Sequence, residues 1–230
     1  MGSYKLLHYR WPGEPIEPGQ FVMARVAGYP ITLDPFLARP FSLYDYDGEV
    51  ASLLFEVRGR GTELLDLAQG EIEVTAPLGR GFRIDVEGGR AALLGGGIGV
   101  APFRFLGRRL GEWGIPYDVF LGFADAGSAV VAREFPGSGV ATMDGSAGTR
   151  GTVLDAVTKL QDYGTVYACG PNPMLAAVKR VAGENCQLSV EERMGCGNGS
   201  CNGCVVPVRG GGYVRSCVDG PVFDAEVLAW

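Results

Sequence analysis

Four cysteines crowd toward the C-terminal end of the chain with the spacing C-x4-C-x2-C-x12-C: Cys196, Cys201, Cys204 and Cys217. Thiolates so spaced can hold a metal, and the first three match the plant-type ferredoxin arrangement for a 2Fe–2S cluster. A structural zinc site is the main alternative, although zinc sites usually carry two short cysteine hooks and Cys217 stands alone. Disulfides are the third possibility and are less at home in a reducing cytosol. Gly195, Gly197, Gly199 and Gly203 interleave with the first three cysteines. Small residues let backbone N–H groups turn toward anionic sulfur, and such hydrogen bonds tune a cluster's potential. Cys169 and Cys186 lie outside this constellation and read as buried thiols.

A second group of motifs points to phosphate. Leu94-Gly-Gly-Gly-Ile-Gly-Val-Ala-Pro102 joins an apolar run to a helical pattern. A glycine turn there aims backbone N–H groups and a helix start at an anion, with Gly97 and Gly99 as the residues that approach it. Pro102 suits the first helical turn, where its missing N–H is not needed. A tight strand–helix turn with no ligand is the plainer reading of the same residues. Cys169-Gly170-Pro171 ends a later apolar run, the place where open α/β sheets bind ligands. In the first half, Arg39-Pro40-Phe41-Ser42 offers a cation for a phosphate, with Ser42 available to a flat ring. Gly59-x-Gly61-Thr62 could hold another phosphate, or could be a simple hairpin turn. Asp144-Gly145-Ser146 is foremost a turn signal. Asp125 follows an apolar run with no Arg/Lys pair beside it to take a 2′-phosphate, which points to NAD over NADP.

The elements that must position these residues fall into two rhythms. Through residue 88, short apolar or alternating segments (Gln20–Val26, Val50–Val57, Glu71–Ala76) are separated by Pro, Gly and Asp turns. With one short helical insert at Glu63–Ala68, they predict a small N-terminal antiparallel β-barrel. From residue 89, buried strands at Ala91–Leu94, Tyr117–Phe123, Gly139–Met143 and Thr165–Ala168 alternate with helices at Pro102–Trp113, Thr152–Leu160 and Pro173–Ala182. That alternation predicts an α/β domain with a doubly wound parallel sheet over residues 89–184. Met174, Leu175, Val178 and Val181 share one helical face and read as core. Residues 185–230 form the small C-terminal cysteine-bearing domain.

Composition removes several function classes. The chain has 20 Lys+Arg against 26 Asp+Glu, a net charge of −6. That balance argues against a nucleic-acid or anionic-membrane surface. Of 230 residues 37 are glycine, more than twice the usual share of about 7%. Such density fits tight turns and backbone pressed against ligands. No apolar run is long enough for a transmembrane helix. The start MGSYKLLHYR has no signal-peptide core, so a cytoplasmic location is expected. His8 is the sole histidine, leaving no histidine-based triad. Glu191 and Glu192 are adjacent and read as a solvated pair.

In combination and order, these motifs resemble the ferredoxin–NADP reductase superfamily. Arg39-Pro-Phe-Ser42 and Gly59-x-Gly61-Thr62 resemble its flavin segments. Gly95–Pro102 and Cys169-Gly170-Pro171 resemble its nicotinamide-nucleotide signatures. The tail, from Glu191-Glu-Arg-Met-Gly-Cys196 to Cys217-Val-Asp-Gly-Pro-Val-Phe223, is similar to the electron-transfer subunits of B-type dihydroorotate dehydrogenases. The resemblance implies FAD on residues 1–88, NAD on 89–184 and a 2Fe–2S cluster on 185–230. It also implies an FMN-containing dihydroorotate dehydrogenase catalytic subunit as partner, joined in a hetero-oligomer, a heterotetramer, for pyrimidine synthesis. One departure is Ala38, where the family commonly has a second arginine. Electron counts suit this set: a cluster passes single electrons, a nicotinamide takes a hydride, and a flavin converts between them. No residue set for orotate chemistry is evident, so that step falls to the partner. The same cofactors would serve an NAD(P)H-dependent reductase subunit for ferredoxin, sulfide or a hydrogenase. A zinc-stapled interaction module is the non-enzymatic alternative.

Overall fold

A computed structural model describes residues 4–27, 34–84 and 89–230. The boundary expected at residue 88 and the first three residues lie outside that set.

Five antiparallel strands build the N-terminal unit: β1 (Tyr4–Arg10), β2 (Phe21–Val26), β3 (Arg39–Tyr46), β4 (Val50–Glu56) and β5 (Ile72–Val74). Their order is β1-β4-β3-β2-β5, with β1 and β5 at opposite edges of an antiparallel half-barrel. A register shift between Leu43 and Asp45 bends β3 over its own inner face, as an extra residue in a ladder does. Phe41, Leu43, Leu53 and Phe55 fill the interior. His8 is structural, its Nδ1 sharing a 2.8 Å hydrogen bond with Ser52 Oγ. The helix α1 (Arg60–Leu67) follows β4 and begins three residues before the expected Glu63.

The second unit is a seven-stranded sheet. Its strands are β6 (Ala91–Gly96), β7 (Tyr117–Phe123), β8 (Gly139–Thr142), β9 (Thr149–Arg150), β10 (Thr165–Gly170), β11 (Cys186–Val190) and β14 (Val222–Asp224). They run β14-β11-β10-β6-β7-β8-β9, all neighbours parallel except the β11–β14 pair. Side chains alternate between faces, as a pleated strand requires. Leu93, Leu121 and Tyr167 pack with Phe103, Leu106 and Leu110 of α2 (Phe103–Glu112) on one face. Leu94, Val166 and Leu188 pack with Leu175 and Val178 of α3 (Asn172–Ala182) on the other. Each such fully buried side chain contributes about 1.5–3 kcal/mol. The first of these cores also takes in Tyr4, Tyr44, Leu54 and Phe82, so the half-barrel and the sheet share one interior.

Three expectations need correction. Thr152–Leu160 is not an α-helix but two 3₁₀ turns, Val153–Ala156 and Leu160–Asp162. Asp155 Oδ2 accepts bonds from Thr152 N and Oγ1 at 2.7 and 2.8 Å, closing the first turn. The β-branched Val153, Val157 and Thr158 favour no continuation. Val181 is 40% exposed and so is not core. Finally, β11 and β14, both beyond residue 185, are strands of the nucleotide sheet. The cysteine segment is thus an excursion from that sheet, carrying only the short hairpin β12 (Val205–Pro207) and β13 (Tyr213–Arg215). No helix among the described residues is long and apolar enough to cross a membrane.

Candidate cofactor sites and the cleft they share

Chain order reverses between β6 and β10, which are adjacent in the sheet. In open α/β sheets, ligands bind beyond the strand carboxyl ends at such a switch point. Here both ends are made of glycine. Gly96 and Gly170 face each other across the switch point, and a Cβ on Gly170 would lie 3.1 Å from Gly96 Cα. Gly99 rests on the Cys169 carbonyl, leaving no room for a side chain, whereas Gly97 has φ +57° and open space above it. Gly97 is therefore the half-buried, left-handed position in the Gly97–Val100 3₁₀ turn, with room above it. Gly99 acts from beneath by permitting close packing. Pro102 is the N-cap of α2.

Cys169 is fully buried. Burial and the neighbouring Glu191 carboxylate push its thiol far above the ordinary range, so it is a neutral S–H donor. Its Sγ lies 3.8 Å from Glu191 Oε1. Surrounding protein raises the Glu191 carboxyl in turn, mainly by desolvation. Glu191 is exposed on the cleft wall and Glu192 half-buried, and the two differ in their partners: Glu192 accepts from Asn172 Nδ2 at 3.1 Å at the start of α3. Glu191 was missed as a site residue. The available signal was its position directly after a strand, β11, in which every residue is buried.

On the half-barrel side, the Arg39 guanidinium lies over the start of α1. A Cβ on Gly61 would come within 2.8 Å of Arg39 Cζ, so glycine there is what lets the cation settle. Arg39 Nη1 donates to the Leu37 carbonyl. Thr62 Oγ1 accepts from Arg58 and Gly59 N–H at 2.9 and 3.2 Å and donates to Gly59 O at 2.9 Å. Its hydroxyl therefore builds the turn. Gly59 has open space about it. A guanidinium and a helix N-terminus side by side suit a diphosphate.

Pro40, Phe41 and Ser42 border instead a cleft of about 490 Å³, Phe41 from its place in the half-barrel interior. Its other walls include Phe21, Glu56 and Arg58 from the half-barrel side, Ile98 and Ala101 from the glycine turn, and Glu191 through Met194 from the cysteine segment. Three motifs far apart in sequence thus meet around one space of ring-binding size. Asp125 is not among its walls. Its Oδ1 accepts from Ser128 N and Oγ at 2.8 and 3.0 Å. Asp144-Gly145-Ser146 is a turn, with Ser146 N and Oγ donating to Asp144 Oδ1 at 2.9 and 2.6 Å.

The four cysteines divide into two pairs. Cys204 and Cys217 are each 2% exposed, while Cys196 is half-buried and Cys201 exposed. Within each pair one backbone N–H donates to the other's sulfur: Cys201 N to Cys196 Sγ, and Cys217 N to Cys204 Sγ, both at 3.4 Å. Gly203 N adds a third such bond, to Cys201 Sγ at 3.4 Å. Backbone N–H groups of Cys201, Asn198 and Ser200 bring the Cys196 thiol down to about 6, toward the thiolate. Burial beside Cys204 pushes Cys217 up to about 11. Among the described residues, no three Cys, His, Asp or Glu side chains gather closely enough to share one ion. A tetrahedral zinc asks for four donors at one point. A 2Fe–2S cluster takes two thiolates on each iron, and the pairing and the sulfur-directed amides fit that donor set.

Half-barrel, switch-point cleft and paired cysteines together define an electron-transferring oxidoreductase of the ferredoxin–NADP reductase type. Residues 191–229 match the family described as iron-sulfur cluster binding domain of dihydroorotate dehydrogenase B. The chain is 40% identical to the dihydroorotate dehydrogenase B (NAD(+)) electron transfer subunit of Caldanaerobacter subterraneus subsp. tengcongensis, over 95% of this chain and 89% of that one. It is 42% identical to the subunit of the same name from Geobacillus thermodenitrificans, over 91% and 85%. Among solved structures it is similar to the NADH-dependent reduced ferredoxin–NADP oxidoreductase, with TM-score 0.78 and 30% identity over 94% of this chain and 80% of that one. The chain belongs to the family of dihydroorotate dehydrogenase B (NAD(+)) electron transfer subunits.

Proposed function

We propose that this subunit takes electrons from the FMN of a dihydroorotate-oxidising catalytic subunit and delivers them through a 2Fe–2S cluster and FAD to NAD⁺, in cytoplasmic pyrimidine synthesis. The observation that carries this reading is the single cleft walled by the Pro40–Ser42 strand, the glycine turn and the cysteine segment. Bound FAD supplies the conversion between single electrons and hydride. The chain's part is to hold and to exclude. Arg39, Gly59, Gly61 and Thr62 shape the diphosphate seat, and Pro40, Phe41 and Ser42 flank the ring. Gly97 and Gly170 open the backbone to a nicotinamide nucleotide, while Gly99 and Cys169 fix the spacing beneath. Cys196, Cys201, Cys204 and Cys217 hold the irons. The functional division follows as FAD on 1–88, NAD on 89–184 and the cluster on 185–230, the last anchored in the NAD sheet through β11 and β14.

The test is reconstitution. Mixed with an FMN-bearing dihydroorotate subunit, the holoprotein should support dihydroorotate-dependent NADH formation, read as absorbance of the reduced nicotinamide. No NADH above that made by the catalytic subunit alone would overturn the reading.

A further inference from the structure

Two side chains belong both to the wall of the cleft and to the bed beneath the cysteines: Phe21 and Met194. Among the described residues no other does both. Phe21, on β2, is 3% exposed and stands opposite Ser42 in the β2–β3 register, so one of its faces meets the cleft. Met194 comes from the cysteine segment itself. Behind them lie Cys204 and Cys217, with Met23, Ala38 and Leu78 completing an apolar bed. Position 38 thus faces the cysteines' bed. Cys196 and Cys201, the more accessible pair, are not members of that bed.

We propose that Phe21 and Met194 form the dry wall through which electrons cross between the Cys204/Cys217 side of the cluster and the flavin. This rests on the cofactor assignment proposed above. Each crossing moves one electron and makes or breaks no bond: the cluster is oxidised by one electron as the flavin is reduced by one. The wall suits the task for two reasons. An electron tunnels more readily through packed side chains than through a void, and a polarizable thioether fills irregular space closely. An apolar shell also keeps water from the sulfurs and so sets the cluster's potential. The rival route is the covalent backbone from Met194 to Cys196, which leads to the accessible pair.

Met194→Ser separates the two. A smaller, polar side chain admits water beside Cys204 and Cys217. Water stabilises the extra negative charge of the reduced cluster, so its midpoint potential in an EPR-monitored titration should rise. In anaerobic rapid mixing of the holoprotein with NADH, cluster reduction should slow several-fold more than flavin reduction, despite that larger driving force. Met194→Leu, close in volume, should restore both the potential and the ratio of rates. Phe21→Leu should slow the cluster phase as well, and if it loses a cofactor the Met194 pair decides alone. An unchanged potential and rate ratio in Met194→Ser, with wild-type phases normal, removes the wall and leaves the functional reading intact. Wild-type protein that binds no flavin or no iron removes both.

Discussion

The strand ends at the switch point and the cysteine segment are both shaped by glycine, by opposite means. At β6 and β10 the geometry comes from packing. Both strands are buried along their whole length, and Gly96, Gly99 and Gly170 bring the two turns into backbone contact, with the Met174 side chain packed against Gly96 and Gly170. Nothing there waits for a ligand. Residues 191–221 bury few side chains and carry one short hairpin. Their amides point at the cysteines' own sulfurs, and Gly197, Gly199 and Asn202 take positive φ to do so. Such a segment is completed by its metal, because ligand binding free energy becomes folding free energy there. The first site is preformed and the second is assembled.

The sharpest way to break that contrast is Cys201→Ser. It should abolish the cluster's visible and EPR signals and reduce partner-to-NAD⁺ transfer to background, while the protein keeps its flavin and reduces dyes with NADH. Loss of flavin and of the cooperative thermal transition in the same variant would mean that the cluster also organises the sheet. The converse is Gly99→Ala. A Cβ there meets the Cys169 carbonyl and lies 2.7 Å from Gly170 Cα, and overpacking of this kind costs about 1–3 kcal/mol. In a chain of this size each kcal/mol lowers the melting temperature by about 2–4 °C. Calorimetry should show that loss together with weaker NADH binding, and the cluster spectrum should be unchanged. Native stability and NADH affinity in Gly99→Ala would show that the turn adapts and is not preformed.

The same contrast explains what the sequence made legible. The phosphate and cysteine motifs were visible because glycine and cysteine at fixed spacing have few other uses, and β7 falls on Tyr117–Phe123 as its apolar run indicates. Periodicity misled where local side-chain bonds compete with the backbone, as Asp155 does after Thr152. It could not assign β11 to the sheet, because Cys186–Val190 looks like the start of the tail until β10 is beside it. Asp125 stands two residues beyond β7, where its carboxylate accepts from Ser128. Glu191, Phe21 and Met194 were invisible for another reason. Each is ordinary in its own segment and becomes part of a site only when β2, β11 and the glycine turn close around one space.

The smallest effect concerns the sheet alone and so tests whether the two regions are separable under acid. Arg90 Nε and Nη2 donate to the Asp118 carboxylate on β7 at 2.5 and 2.6 Å, and Tyr163 OH adds a bond of 2.8 Å. These partners, Arg90 first, hold the Asp118 carboxyl below its ordinary value, which is about 3.9 for an unfolded aspartate. Between the two values the unfolded chain binds more protons than the folded one, so stability falls as pH falls. The contribution is therefore complete at neutral pH and is lost as pH drops below about 4. Both side chains are partly exposed, with relative areas of 52% and 34%, so screening keeps the effect well under that of Gly99→Ala. Asp118→Asn should lower the urea midpoint slightly at pH 7 and match wild type at the acid end of the window, with the neutral-pH cluster spectrum identical in the two proteins. A constant difference at every pH would trace the loss to packing and not to the carboxylate. A changed cluster spectrum would mean that strain at the start of β7 reaches the cysteines through β6, β10 and β11, and that the sheet and its excursion form one cooperative unit.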